Sequence, residues 1–139
     1  MPSRVGVDLV PLARVRRMLD GGGRTALERM VRPDELDECR RGGLIDVSAL
    51  AGRLAAKEAV FKLFLREDTV LPWTLIRISA PQRSWPEVEL EGAARDHARD
   101  AGIDGPISVS ITHDGDYAIA VAAAVAAPAG EGPRRQPIA

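Results

Sequence analysis

Asp8 lies inside the apolar run Val5-Gly6-Val7-Asp8-Leu9-Val10, where an ionised carboxylate is costly unless a cation or several donors compensate it. Two readings stand. Either backbone amides of the following turn satisfy the side chain, or it ligates a hard cation such as Mg²⁺, which takes one or two carboxylates together with phosphate oxygens and water. A second carboxylate, Glu58, belongs to the segment Arg53-Leu54-Ala55-Ala56-Lys57-Glu58-Ala59-Val60-Phe61-Lys62. At about 100° per residue, Leu50, Leu54, Phe61, Phe64 and Leu65 form one apolar stripe of a helix, with Lys57 in its middle and Glu58 at its edge. Charged side chains on a core-facing stripe need partners, which favours a site. A surface ion pair between Glu58 and Lys62, at i, i+4 spacing, is the plainer alternative.

Composition weakens that alternative. Of the 19 basic residues only Lys57 and Lys62 are Lys, leaving 17 Arg, and both Lys share this one helix. An ammonium reaches a phosphate as a small flexible donor, whereas a guanidinium does so as a broad planar fork, so the choice suggests that a compact point charge is required there. The third chemical stretch is Ser108-Val109-Ser110-Ile111-Thr112-His113-Asp114. It alternates like a half-buried strand, and Ser110, Thr112 and His113 carry groups able to bond phosphate or ribose oxygens, although a lone His at a strand end is more often structural than catalytic. His97, on a charged helix, reads as surface.

The elements that must position these residues follow from local signals. A β-branched strand over residues 5–10 runs into Pro11, which suits a first helical turn. The helix over residues 11–20 stops at Gly21-Gly22-Gly23, and two shorter helices follow, the second from Pro33 to before Gly42-Gly43. Asp46 or Ser48 caps the long helix, which is expected to run to about Arg66. Residues 73–80 and 86–91 read as strands, 92–101 as a polar helix, and 107–111 with 117–127 as a hairpin around Asp114-Gly115-Asp116. That order predicts an α+β fold with a mostly antiparallel sheet.

The bulk numbers bound the class. With 139 residues, 45% hydrophobic and 28% charged, the chain fits one small soluble domain. We expect that domain over residues 1–127 and a disordered Pro-, Gly- and Arg-rich tail over 128–139. A net charge of −1 demands neither nucleic acid nor an anionic membrane. No apolar run approaches the roughly 20 residues of a membrane span, and the N-terminus does not read as a secretory signal. The single cysteine, Cys39, forms no internal disulfide, which fits a cytoplasmic location.

Together the three stretches resemble the holo-[acyl-carrier-protein] synthases of the 4′-phosphopantetheinyl transferase superfamily. Gly6-Val7-Asp8 with Arg14 six residues on matches the family's opening motif, and Arg53…Lys57-Glu58-Ala59…Lys62 its central helix. Ser110-Ile111-Thr112-His113 followed by Tyr117-Ala118 matches its Ser-x-Ser-His block, and Trp73…Ile76-Arg77-Ile78 its Trp-x-x-Ile-x-Ile strand. The resemblance implies the family's fold, an antiparallel sheet packed on a long helix. It also implies Mg²⁺-dependent transfer of 4′-phosphopantetheine from coenzyme A to a serine of an acyl carrier protein, releasing adenosine 3′,5′-bisphosphate. In that scheme Asp8 and Glu58 hold Mg²⁺, Lys62 faces the pyrophosphate, and Glu58 or a water that it orients takes the serine proton. Arg53, Lys57, Thr112 and His113 contact coenzyme A phosphates or fix the site, and Arg14 and Arg17 meet the acidic carrier protein. The family forms homotrimers with coenzyme A between protomers.

Three departures mark this chain. Thr112 stands where the family has Ser, residues 63–68 lack the usual glycine, and Ser84-Trp85-Pro86 replaces a Gly-cation-Pro turn. A non-catalytic coenzyme A or carrier-protein binding module of the same fold is the alternative these departures leave open.

Overall fold

A computed structural model describes residues 3–21, 23–81 and 84–127, so the expected tail over 128–139 lies outside the described residues. The chain starts with strand β1 (Ser3–Pro11), followed by helices α1 (Leu12–Asp20), α2 (Arg24–Met30) and α3 (Pro33–Glu38). A small hairpin of β2 (Arg40–Arg41) and β3 (Leu44–Ile45) leads into the long helix α4 (Val47–Lys62). A 3₁₀ turn (Trp73–Leu75), strands β4 (Ile76–Ser79) and β5 (Glu87–Leu90), helix α5 (Gly92–Asp100), β6 (Ile107–Asp114) and β7 (Tyr117–Val125) complete the fold. This is the expected α+β class.

The main sheet is antiparallel, in the order β1-β7-β6. Asp8 and Ile111 both pair with Ala120 of the central strand, from opposite sides. Period-two alternation sends Gly6, Asp8 and Val10 of β1 to the inner face and Val5, Val7 and Leu9 to the outer one. On β7 the inner residues are Ala118, Ala120, Ala122 and Ala124, all buried. Such small side chains let a helix approach the strand closely, and α4 packs against all three strands.

Asp46 starts α4 by accepting from the amides of Ser48 at 3.0 Å and Ala49 at 3.3 Å, donors the first helical turn would otherwise leave unpaired. Leu50, Ala51, Leu54, Ala55, Ala56, Ala59 and Val60 are buried, so the helix is enclosed on nearly every side rather than along one stripe. It ends at Lys62, a turn earlier than Arg66, and Leu65 is exposed with φ 55° instead of continuing the apolar stripe.

Other expectations shift for local reasons. Residues 73–75 form a 3₁₀ turn after Pro72, and only Ile76–Ser79 is strand, paired with β5 in a separate two-stranded sheet. Gly42 and Gly43, both at positive φ, do more than stop a helix: they turn the β2–β3 hairpin. His97 is half-buried, with a buried Nδ1 that has no hydrogen-bond partner among the described residues.

Candidate active site

β1 and α4 bring Asp8, Glu58 and Lys62 together at one end of the helix–sheet interface. The Lys62 ammonium donates to the carbonyl of Val7 at 2.8 Å and lies 3.4 Å from Asp8 Oδ1. It remains 47% exposed, whereas the Asp8 side chain is only 11% exposed. The i, i+4 pairing of Lys62 with Glu58 is therefore replaced by a contact across the strand. Asp8 Oδ2 is buried without a hydrogen-bond partner among the described residues. Burial, a side-chain hydrogen bond to Asp8 and the charge of Asp8 push the Glu58 carboxyl above its ordinary range, while Lys62 and Arg14 pull it down. Two desolvated carboxylates side by side form an electrostatic demand for a cation.

The donor set fits Mg²⁺ in kind. No third His, Cys, Asp or Glu joins the pair among the described residues, and Mg²⁺ keeps waters and substrate phosphates in its shell rather than requiring an all-protein cage.

Arg53 and Lys57 stand elsewhere. The Lys57 ammonium is fully buried and donates to Glu35 at 2.8 Å, to the carbonyl of Trp73 at 3.0 Å and to that of Ile76 at 2.6 Å. All three of its protons are thereby used. Desolvation by burial lowers its pKa, and the Glu35 charge opposes that shift. Arg53 is buried too, bonded to Glu38 at 3.1 Å and to the carbonyl of Ile78 at 2.6 Å. These bonds tie α4 to α3 and β4.

Glu35 is the residue that sequence reasoning missed. It accepts from Lys57, from the Arg32 amide at 2.9 Å and from the Ile78 amide at 2.9 Å. Its neighbours Asp34, Asp37 and Glu38 are acidic too, so composition alone does not single it out. The usable signal was the pairing requirement of Lys57 itself, a lysine in the middle of an apolar stripe.

Arg14, Arg16 and Arg17 project from α1 into solvent, and Arg14 is near enough for its charge to act on Glu58. Thr112 pairs with Ile119 and His113 with Ala118 at the end of β6, and both are exposed. By strand parity Thr112 lies on the outer face of the sheet, opposite the face that carries Asp8.

The sequence profile of the 4′-phosphopantetheinyl transferase superfamily matches residues 4–122. The chain is 37% identical over 121 residues to the holo-[acyl-carrier-protein] synthase of Desulforudis audaxviator, covering 87% of this chain and 91% of that protein. It is 36% identical over 118 residues to the synthase of Desulfovibrio desulfuricans, covering 84% and 92%. The fold superposes on the Chronobacterium ammoniagenes ACPS-CoA complex with a TM-score of 0.78 at 25% identity, covering 92% of this chain and all of that one. For the Helicobacter pylori holo-[acyl-carrier-protein] synthase in complex with coenzyme A the values are 0.72, 29% and 88%, again with all of that chain covered. With the three motifs in order and the fold in agreement, the chain belongs to the 4′-phosphopantetheinyl transferase superfamily, as an enzyme of its holo-[acyl-carrier-protein] synthase type.

Proposed function

We propose that this chain transfers 4′-phosphopantetheine from coenzyme A to a serine of an apo acyl carrier protein, with Mg²⁺ and with release of adenosine 3′,5′-bisphosphate. The observation that carries the reading is the Asp8–Glu58 pair, whose unpartnered buried oxygen and mutual repulsion call for a divalent cation beside a phosphate. Asp8 and Glu58 hold that ion; bound there, Mg²⁺ neutralises charge on the pyrophosphate oxygens. The Lys62 ammonium, exposed at the same end of α4, adds a second positive charge for the leaving bisphosphate. Glu58 is the carboxylate placed to take the serine proton, directly or through a water that it orients. Arg14 and Arg17 present cations to an acidic carrier surface.

We extend the reading to a homotrimer. Val5, Val7 and Leu9 of β1 and Tyr117, Ile119, Val121 and Val125 of β7 form an exposed apolar band on the outer sheet face, larger than isolated surface apolar residues explain. Thr112 shares that face, which suits contact with a ligand held by a neighbouring protomer. The buried, reduced thiol of Cys39 accords with a cytoplasmic setting.

The test is direct. The protein is incubated with coenzyme A, Mg²⁺ and a panel of apo carrier proteins, and the carriers are weighed. Mass gain that EDTA abolishes supports the assignment; a folded sample that modifies no carrier overturns it, and coenzyme A binding indifferent to Mg²⁺ then marks a binding module.

A further inference from the structure

β1 and α4 approach each other closely at a glycine. A Cβ built on Gly6 lies 2.1 Å from the carbonyl oxygen of Ala59, 3.1 Å from its carbon and 3.3 Å from Lys62 Cβ. Gly6 is at ordinary strand φ, so the constraint is space rather than backbone conformation. The obstructing atom is a helix backbone oxygen, which has no rotamer to adopt. Gly6 precedes Asp8 by two residues on the same inner face, and Ala59 and Lys62 belong to the turn that carries Glu58. The strand–helix contact is therefore tight beside the carboxylate pair.

Gly52 provides an internal contrast. It lies on the same helix, where a Cβ meets Ile111 Cγ2 at 2.7 Å, a side-chain methyl that can swing aside. Restoring ordinary contact at Gly6 instead requires the two backbones to separate by about 1 Å, a displacement of the size that upsets catalytic geometry.

We infer that Gly6 is a positioning residue: its missing side chain sets the strand–helix distance at which Asp8 and Glu58 converge on one cation. The inference rests on the metal-site reading above. Mg²⁺ binding to the protein with coenzyme A present is measured by calorimetry for the wild type, Gly6→Ala, Gly52→Ala and Ala59→Ser, with circular dichroism and urea unfolding on each. Gly6→Ala is expected to weaken Mg²⁺ binding about 10-fold or more, the range typical of residues that orient metal ligands. In turnover assays it raises the Mg²⁺ concentration for half-maximal rate by a similar factor. Gly52→Ala loses stability without that shift. Should Gly6→Ala fail to fold, Ala59→Ser, one atom added to a fully buried methyl in the same layer, is expected to give a smaller loss in the same direction. Wild-type-like Mg²⁺ affinity in the folded Gly6→Ala protein, or in Ala59→Ser if only that variant folds, overturns the inference while leaving the metal site standing. A wild type that binds no Mg²⁺ overturns both.

Discussion

The Lys57 ammonium donates to the Glu35 carboxylate at 2.8 Å with both side chains shut away from water, 0% and 1% exposed. Lys57 adjoins Glu58 in sequence but faces the α3–β4 side of the helix, so it anchors the element that presents Glu58, the carboxylate we propose as a metal ligand. Lys57→Met leaves a buried carboxylate without its counter-charge and is expected to cost about 3–5 kcal/mol. The double variant Lys57→Met with Glu35→Leu recovers most of that loss. Urea unfolding of both variants checks it, and equal losses in single and double variants would count against the pairing.

Asp8→Asn separates stability from activity. Transfer activity is expected to fall about 100-fold or more as one carboxylate is lost. In EDTA the variant unfolds at a higher temperature than the wild type, because the repulsion with Glu58 is gone. The sign with pH is defined: burial and the neighbouring Asp8 hold the folded Glu58 carboxyl above the ordinary 4.5. Its stabilising contribution is present below that value and lost as pH rises through the folded pKa. Asp8→Asn flattens this slope in thermal melts without metal.

Asp46→Ala removes the cap of α4 and is expected to cost about 1 kcal/mol at neutral pH. A hydrogen bond from Ser48 lowers the Asp46 pKa from 3.8, against an opposing effect of burial, with help from the Ala49 and Ser48 amides. Its contribution is present above 3.8 and disappears as pH falls through the lower folded value, so wild type and variant converge in acid. Stability curves at several pH values test the convergence.

Leu65 holds φ 55° just past the end of α4. A non-glycine residue there costs about 1–2 kcal/mol, and glycine's extra backbone entropy returns about 0.5–1 kcal/mol of any relief. Leu65→Gly is therefore expected to stabilise the protein by about 0.5 kcal/mol or slightly more. Destabilisation in urea would show that the exposed leucine makes a contact worth more than its strain.

The apolar outer sheet face gives a prediction about assembly. Val121→Lys places a charge in the middle of the band beside Val7, its partner in the register. Sedimentation should show roughly a threefold fall in mass from a trimeric wild type, since a symmetric interface repeats the charge on every protomer. An unchanged mass would place the contact elsewhere.

Much of the site was readable because each chemical residue violated its surroundings: a carboxylate in an apolar strand, a lysine in an apolar stripe. Asp46 was readable as a cap from its place before an uninterrupted helical run. What escaped depended on contacts far along the chain. Glu35 joins Lys57 and Ile78, 22 and 43 residues away, and nothing in a run of acidic residues tells which one turns inward. The end of α4 was misplaced because Leu63 to Leu65 continues the apolar composition while the backbone turns to bury Leu63 and Phe64 and expose Leu65. The 3₁₀ turn at Trp73 was hidden by β-favouring residue types that serve tertiary packing instead.

The alanine ladder of β7 has a last consequence. Ala118, Ala120, Ala122 and Ala124 offer no long side chain that can bend around an intruding atom, so an error introduced anywhere along the helix–strand seam travels as a shift of the whole rod. The scaffold behaves as a vernier with no slack. Changes at the exposed arginines of α1 and in the loops, by contrast, leave the gap between Asp8 and Glu58 untouched.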